Sequence, residues 1–166
     1  FKKITSMSFS EDLRNQATHI WESIETHPFI KGIGNATLPI EKFRYYMRQD
    51  YVFLIGFSRV ISIACSKADN LDEMKWFANL NNETLNVEMS LHVSFCKDFG
   101  ITKKDLENTQ PSYATRAYIN HLLETAYSGD TIDSTVAILP CLWGYSEIGK
   151  SLSRYSPEEN HLTNLY

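Results

Sequence analysis

An acidic residue stands in an otherwise apolar helical pattern in the first half of the sequence. Residues spaced by three or four positions share an apolar character there, with one exception: Phe43, Met47, Asp50, Leu54, Phe57, Ile61 and Cys65. A carboxylate in such a stripe is costly to bury unless it is hydrogen-bonded or faces a cavity. Asp50 is therefore either the cap or ion-pair partner of a neighbouring element, or a carboxylate that lines a ligand pocket in the helical interior.

A cysteine stands in a second apolar stretch, "ILPCLWGYSEIG" at positions 138–149. Pro140 has no amide hydrogen and clashes with the carbonyl of Val136, so we expect it to kink the helix just before Cys141. A buried cysteine is commonly an inert small hydrophobe, whereas one presented at a kink is a candidate nucleophile. The pattern alone leaves both roles open for Cys141 and assigns Cys65 and Cys96 to inert packing.

A third stripe combines an acid with a histidine. Its members are spaced as on one helix face: Phe77, Thr84, Glu88, Leu91, Phe95 and Phe99. His92 lies four residues after Glu88, but helical di-iron sites need Glu-x-x-His on two helices with further glutamates. We therefore expect no metal site, and we expect Glu88 to make a structural hydrogen bond.

Long helices must position these residues, because the periodicity is helical and proline and glycine are rare. Helices are predicted at 10–25 with Ser10 as N-cap, 40–67, 70–99 ending at Gly100, 112–127 and 131–154. The stretch 26–39 is predicted to be a loop. The fold class is all-α, a multi-helix bundle formed by residues 1–166 as a single domain.

Composition restricts the function further. A net charge of −4 and a pI near 5.7 give no basic surface for nucleic acid. No apolar run reaches the roughly 18–20 residues of a membrane span, and the first residues lack the pattern of a secretory signal. Three cysteines without CxxC spacing argue against a disulfide framework or a zinc site. We expect a protein of the reducing cytosol that binds neither nucleic acid nor membrane.

Three stretches together resemble one protein family. They are "HPFIKGIGNATLPIEKFRYYMRQDY", "ETLNVEMSLH" and "AILPCLWGYSEIG", and the similarity extends over about residues 9–153. They are similar to the TenA family, also called thiaminase II or aminopyrimidine aminohydrolase, and Cys141 corresponds to its cysteine-containing branch. The resemblance implies a haem-oxygenase-like helical fold, a homotetramer and no cofactor.

The resemblance also implies an activity. Members hydrolyse 4-amino-5-aminomethyl-2-methylpyrimidine to the hydroxymethyl pyrimidine with release of ammonia, and many cleave thiamin into its pyrimidine and thiazole halves. Cys141 matches the nucleophile, and Asp50 matches the carboxylate that binds the ring nitrogen and the 4-amino group. The pocket-lining positions correspond to Phe53, Phe57, Tyr118 and Tyr145. Glu88 matches a recurrent acid that we interpret as supporting.

Two departures from the family pattern leave a second function open. Where members often have a tyrosine three residues after the pocket aspartate, this sequence has Phe53, which has no hydroxyl group. The family pattern also continues past the position of Tyr166, with a catalytic glutamate and another pocket tyrosine, so we expect the family's C-terminal helices to be missing from this sequence. The terminal "HLTNLY" resembles the start of the family's next helix. A non-catalytic module that binds a pyrimidine metabolite on the same fold is therefore the alternative.

Overall fold

The structure is a computed structural model that describes residues 8–154, and these fall into two compact units. One unit contains residues 8–38 and 143–154, and the other contains Pro39–Leu142. Every regular element among the described residues is helical, which confirms the all-α prediction. None of the helices in this part of the chain is both long and apolar enough to cross a bilayer. The prediction of a single domain, and that of a helix at 161–166, stay predictions, the latter because these residues lie outside the described range.

The first unit begins with three short helices. They are α1 (Phe9–Gln16), α2 (Thr18–Glu25) and α3 (Pro28–Gly34). The cap of α1 is Ser8 and not Ser10 as predicted: Glu11 N–H donates to the Ser8 hydroxyl at 3.3 Å, and Ser8 N–H donates to the Glu11 carboxylate at 2.7 Å. This reciprocal capping box satisfies two backbone donors, which a cap at Ser10 would leave open. The single predicted helix is interrupted at Ala17.

The helix α3 occupies part of the predicted loop. His27 caps it, because the ring Nδ1 accepts a hydrogen bond from Phe29 N–H at 3.1 Å, and Pro28 fits the first helical turn. The chain then folds back, since the amides of Thr37 and Leu38 both donate to the Gly32 carbonyl. The prediction of a loop was wrong here because the proline and glycines that suggested it are compatible with a short capped helix.

The second unit is organised around the longest helix, α4 (Ile40–Ser66). The others in it follow in chain order: α5 (Leu71–Glu83), a π-helical turn (Thr84–Glu88), α6 (Met89–Asp98), α7 (Lys103–Glu107), α8 (Tyr113–Ser128) and the start of α9 (Thr131–Leu152), which continues into the first unit. Helix α4 packs against α5, the π turn, α6, α7 and α8. It begins and ends within a residue of the predicted bounds.

The π turn changes which face of the following helix is buried. The sequence predicts one regular helix over 70–99, with Leu91 and Phe95 in its core-facing stripe. In the structure Leu91 is 57% exposed, while His92 and Cys96 are buried. A π turn holds one residue more than an α-helical turn, so every later side chain is rotated relative to a regular helix. The predicted stripe was therefore wrong from Glu88 to Phe95: Glu88 and Leu91 are exposed, Phe95 is half-buried, and the buried positions are His92 and Cys96.

Helix α9 continues through Pro140, and Cys141 keeps the helical register of two buried residues before it, Ser134 and Ile138. Pro140 removes the usual donor for the carbonyl of Val136. Val136 is exposed, so this carbonyl lies on the solvent side of the helix, where water can bind it. The kink itself stays a prediction.

The core of the second unit contains side chains from four helices. Its buried members are Phe53, Phe57, Val60, Ile61, Ala64, Phe77, Leu122, Ala126 and Ile138, and Cys141 packs against them. Helices α4 and α8 approach closely at Gly56, where an added Cβ would come within 2.8 Å of Ile119. This close approach brings the middle of α4, where Asp50 and Phe53 lie, near the middle of α8, which carries Tyr118.

Candidate active site

The centre of the candidate site is a buried contact between Asp50 on α4 and His92 on α6. Asp50 Oδ2 lies 3.3 Å from His92 Nδ1, and the two side chains are 15% and 7% exposed. The other ring nitrogen, Nε2, lies 2.8 Å from the Met47 carbonyl oxygen. Asp50 is thus a partly buried carboxyl group with a histidine partner, which accounts for an acid in the apolar stripe of α4.

Cys141 lies on α9, and the charges of Asp50 and Glu88 act on its thiol. Burial and, after it, the charges of Asp50 and Glu88 together raise the pKa of the Cys141 thiol to about 12. The thiol is only partly buried, and one side of it packs against the helical core. The structure therefore brings Cys141 and Asp50 into one electrostatic cluster, with the cysteine in its neutral form when the site is empty.

Three aromatic rings form a wall beside this cluster. The Phe53 and Tyr118 rings stack with centroids 5.2 Å apart and planes inclined by 19°. The Phe57 ring also stacks on Phe53, with centroids 5.7 Å apart and planes inclined by 27°. Burial raises the pKa of Tyr118 to about 12, with a contribution from the charge of Cys141. Tyr118 therefore keeps its proton at neutral pH and is available as a hydrogen-bond donor.

Glu88 ends the π turn and contributes to the electrostatics of the cluster. Burial raises the pKa of Glu88, the negative charge of Asp50 raises it further, and His92 lowers it. This burial is partial, because the residue as a whole is exposed to solvent. Its predicted supporting role is compatible with this position at the rim of the Asp50–His92 pair, and it stays a prediction, as does its structural hydrogen bond.

Tyr145 is the remaining predicted pocket residue. It lies on α9 four residues after Cys141, within the first unit, and is 39% exposed. Its contribution to a pocket stays a prediction. A groove of about 370 Å³ elsewhere on the second unit is lined by Ser62, Cys65, Ala78, Asn81, Asn82, Leu85 and Asn86, which include none of the predicted site residues.

His92 is the residue of this site that the sequence did not assign. Its spacing from Glu88 suggests a metal ligand at most, and no group of three or more potential ligands occurs among residues 8–154. The available signal in the sequence was the spacing of His92 and Cys96, which lie four positions apart and can share one face of a helix. It was obscured because the π turn shifts the register of α6 away from a regular helical stripe.

The fold and the candidate site together define a class: an all-helical protein whose candidate site combines a carboxyl group, a histidine, a cysteine and stacked aromatic rings. A family model described as "TENA/THI-4/PQQC family" matches residues 14–163. The chain belongs to this family.

Relatives and solved structures are consistent with that membership. The chain is 39% identical over 155 residues to an aminopyrimidine aminohydrolase of Halalkalibacterium halodurans, covering 93% of this chain and 69% of the relative. It is 36% identical to an aminopyrimidine aminohydrolase of Helicobacter pylori, covering 89% of this chain and 68% of the relative. A solved structure from Silicibacter sp. TM1040, described as a TenA family transcription regulator, superposes with a TM-score of 0.86 at 36% identity, over 93% of this chain and 68% of that one. The haem-oxygenase-like helical fold expected from the resemblance is thereby confirmed.

Proposed function

We propose that this protein is a hydrolase of thiamin salvage that acts on an aminopyrimidine through Cys141. The observation that carries the proposal is the electrostatic coupling of Cys141 on α9 to Asp50 on α4, two residues far apart in sequence. Family membership and the names of the relatives support the same reaction class. The substrate is 4-amino-5-aminomethyl-2-methylpyrimidine, and the products are the hydroxymethyl pyrimidine and ammonia.

Asp50 recognises the aminopyrimidine in this proposal. A carboxyl group accepts hydrogen bonds from a protonated ring nitrogen and from the adjacent 4-amino group in a two-point contact. The partly buried environment strengthens this contact relative to water. Binding next to Asp50 favours the protonated ring, which is poorer in electrons and more easily attacked.

Cys141 then adds to the ring. A bond forms between Sγ and a ring carbon, and the electrons displaced from the ring expel the amine from the exocyclic methylene group as ammonia. Water adds to the methylene carbon, the bond to Sγ breaks, and the aromatic pyrimidine and the free thiol are restored. One water molecule is consumed and one ammonia is released, so the thiol and all protons balance over the cycle.

Because the pKa of Cys141 is raised, activation of its thiol depends on the bound substrate. In the empty site the charges of Asp50 and Glu88 oppose thiolate formation. A cationic aminopyrimidine bound to Asp50 offsets that charge, and the thiol then loses its proton more readily. The site is thereby inert towards other electrophiles until the correct ring is bound.

The aromatic wall supports a flat ring in this position. Phe53, Phe57 and Tyr118 present stacked rings from two helices, and an offset stack with a further aromatic ring is favourable. Thiamin carries the same pyrimidine, and its cleavage would follow the same steps with the thiazole as leaving group. We extend the proposal to thiamin cleavage on that basis, and to a cytoplasmic homotetramer on the basis of the family.

The alternative is a non-catalytic module that binds a pyrimidine metabolite. It is favoured by Phe53 in place of tyrosine and by the high pKa of the Cys141 thiol. The two functions are separated by measuring ammonia release by the full-length protein from the aminomethyl pyrimidine, and thiazole release from thiamin. Hydrolysis that is lost in Cys141→Ala and kept in Cys65→Ala supports the enzyme. Turnover that is unchanged in Cys141→Ala contradicts the covalent mechanism, and tight binding without turnover in the wild type favours the binding module.

A further inference from the structure

The His92 ring is held in one orientation and one hydrogen-bonding state. Nε2 lies 2.8 Å from the carbonyl oxygen of Met47, and a carbonyl oxygen can only accept. Nε2 therefore carries a proton and donates it to α4. Since His92 is buried, this bond also fixes the ring against rotation.

The other ring nitrogen, Nδ1, lies next to Asp50, and a favourable contact between them requires a proton. A neutral imidazole with its proton on Nε2 has a lone pair on Nδ1, and an ionised carboxylate offers only acceptors. Nδ1 and Asp50 Oδ2 are 3.3 Å apart with little access to water. Two acceptors at this distance in a buried site repel each other, so a proton has to lie between them.

The groups around the pair limit how much charge it holds. The pKa of His92 is lowered on balance, because burial outweighs the Met47 hydrogen bond and the charge of Glu88, which act in the opposite direction. Cys141 on α9 and Cys96 on α6 are coupled to Asp50, with pKa values raised by burial to about 12 and about 11. Arg48 on α4 is coupled to Cys96. Both thiols are neutral below about pH 9, so neither adds a negative charge beside the pair in that range.

We propose that His92 is a positioning residue for Asp50, and that one proton shared between His92 Nδ1 and Asp50 Oδ2 fixes the carboxyl group that meets the aminopyrimidine. The choice of ligand rests on the proposed function; the shared proton does not. When this proton is lost at higher pH, the two acceptors repel, Asp50 leaves its position and the aminopyrimidine binds more weakly. No bond between heavy atoms changes, and the proton goes to solvent.

The first experiment reads the proton directly. Nitrogen NMR of the protein labelled with ¹⁵N-histidine follows Nδ1 and Nε2 of His92 against pH, with His92→Gln used to assign the signals. We expect Nε2 to remain protonated throughout, and Nδ1 to titrate differently in the wild type and in Asp50→Asn, whose side chain supplies its own donor. The same Nδ1 titration in both proteins would overturn the shared proton.

The second experiment measures the effect of the shared proton on ligand binding. The dissociation constant of the hydroxymethyl aminopyrimidine is measured by calorimetry from about pH 6 to about pH 9. We expect affinity to be about tenfold lower in His92→Gln at the acid end, with a smaller loss towards alkaline pH than in the wild type. The ligand's own titration is common to both proteins and cancels. His121→Gln, an exposed histidine on α8, is the matched control and should follow the wild type.

The outcomes separate this proposal from the proposed function. Wild-type affinity and pH profile in His92→Gln would overturn the positioning role. A uniform loss of affinity with the wild-type pH profile would show a merely structural role. If the wild type does not bind the pyrimidine at all, the proposed function fails, while the NMR comparison still decides the shared proton. If His92→Gln does not fold, the comparison of the wild type with Asp50→Asn decides it.

Discussion

The Phe53 ring stacks on the Tyr118 ring with a centroid distance of 5.2 Å, which joins the centre of α4 to the centre of α8. Phe53 also stacks on Phe57 one turn later, so a single ring holds two aromatic contacts. The backbone approach at Gly56 makes this distance possible. Position 53 therefore requires an aromatic ring for packing, whether or not that ring carries a hydroxyl group.

Replacing Phe53 by alanine should destabilise the protein strongly. The change removes a buried ring and both stacks, and such truncations cost about 3–5 kcal/mol. Phe53→Tyr keeps the ring, and its free energy of unfolding should stay within about 1.5 kcal/mol of the wild type. Urea denaturation of the three proteins measures both differences.

The control for this comparison is Tyr113→Ala. Tyr113 is the first residue of α8 and is 91% exposed, so its loss should change the stability by no more than about 0.5 kcal/mol. A similar loss of stability in Phe53→Ala and Tyr113→Ala would contradict the stacking argument. Ammonia release by Phe53→Tyr would show in addition whether the added hydroxyl group changes the rate.

The sequence predicts α4 and α8 almost to the residue, and local signals explain why. Helix α4 has an uninterrupted apolar stripe and a proline directly before its first turn. Helix α8 has Ser112 as a cap, whose hydroxyl accepts from Thr115 N–H at 3.1 Å. The candidate residues on these two helices accordingly lie on the helices predicted for them, and their roles in a site stay predictions. Asp50 is partly buried, Phe53 and Phe57 lie in the core, and Tyr118 stacks on Phe53.

The predictions that were wrong concern features that depend on non-local structure. The π turn at 84–88 has no local signal that periodicity could detect, yet it moves His92 into the interior and Leu91 out of it. The short helices α3 and α7 were missed because helices of this length are too short to show a helical period in the sequence. The meeting of Asp50 with Cys141 depends on how α9 packs, and the family resemblance, rather than the helical period, suggested it.

Alkylation of Cys141 by iodoacetamide should be slow at neutral pH and rise steeply with pH. The thiolate is the reactive form, and burial together with Asp50 and Glu88 holds the pKa of this thiol near 12. Asp50→Asn removes one of the opposing charges, so the reaction should become faster, by roughly tenfold for each unit by which the pKa falls. Peptide mass spectrometry follows each cysteine separately.

Cys65 in the same samples is the internal control for this measurement. It lies on α4 and is partly buried, and its Sγ lies 3.4 Å from the Met74 carbonyl oxygen. Its rate should be the same in the wild type and in Asp50→Asn. An unchanged Cys141 rate in Asp50→Asn would mean that the carboxylate does not act on the thiol.

Glu88 should make the stability of the protein depend on pH in a defined direction. Its pKa in the folded protein is raised above the ordinary 4.5, by burial first and by Asp50 second. Between the unfolded and folded pKa values the unfolded chain holds fewer protons, so the stability contribution is present below about pH 4.5 and is lost as pH rises through the folded value. Glu88→Gln should therefore gain stability relative to the wild type between about pH 4 and about pH 7, as measured by chemical denaturation.

The matched variant for this prediction is Glu124→Gln on α8, where the side chain is exposed. Its stability relative to the wild type should change little over the same interval. A difference between Glu88→Gln and wild type that is constant with pH, or that changes in the opposite direction, would show that Glu88 is not held in a site that disfavours its charge.

Substitution of Gly56 by alanine should separate α4 from α8. The added Cβ would lie 2.8–2.9 Å from three side-chain atoms of Ile119, which is closer than carbon atoms approach, so one helix or the isoleucine has to move. Overpacking of this kind costs about 1–3 kcal/mol and offsets the roughly 1 kcal/mol that alanine gains over glycine in a helix.

Gly144→Ala is the same change within α9, where the nearest atom, on Trp21, is 3.9 Å away, and it should stabilise the protein by up to about 1 kcal/mol. If denaturation shows Gly56→Ala to be as stable as Gly144→Ala, the contact with Ile119 is not a tight one. A loss confined to Gly56→Ala, accompanied by weaker pyrimidine binding, would show that the close approach of α4 and α8 positions the aromatic wall.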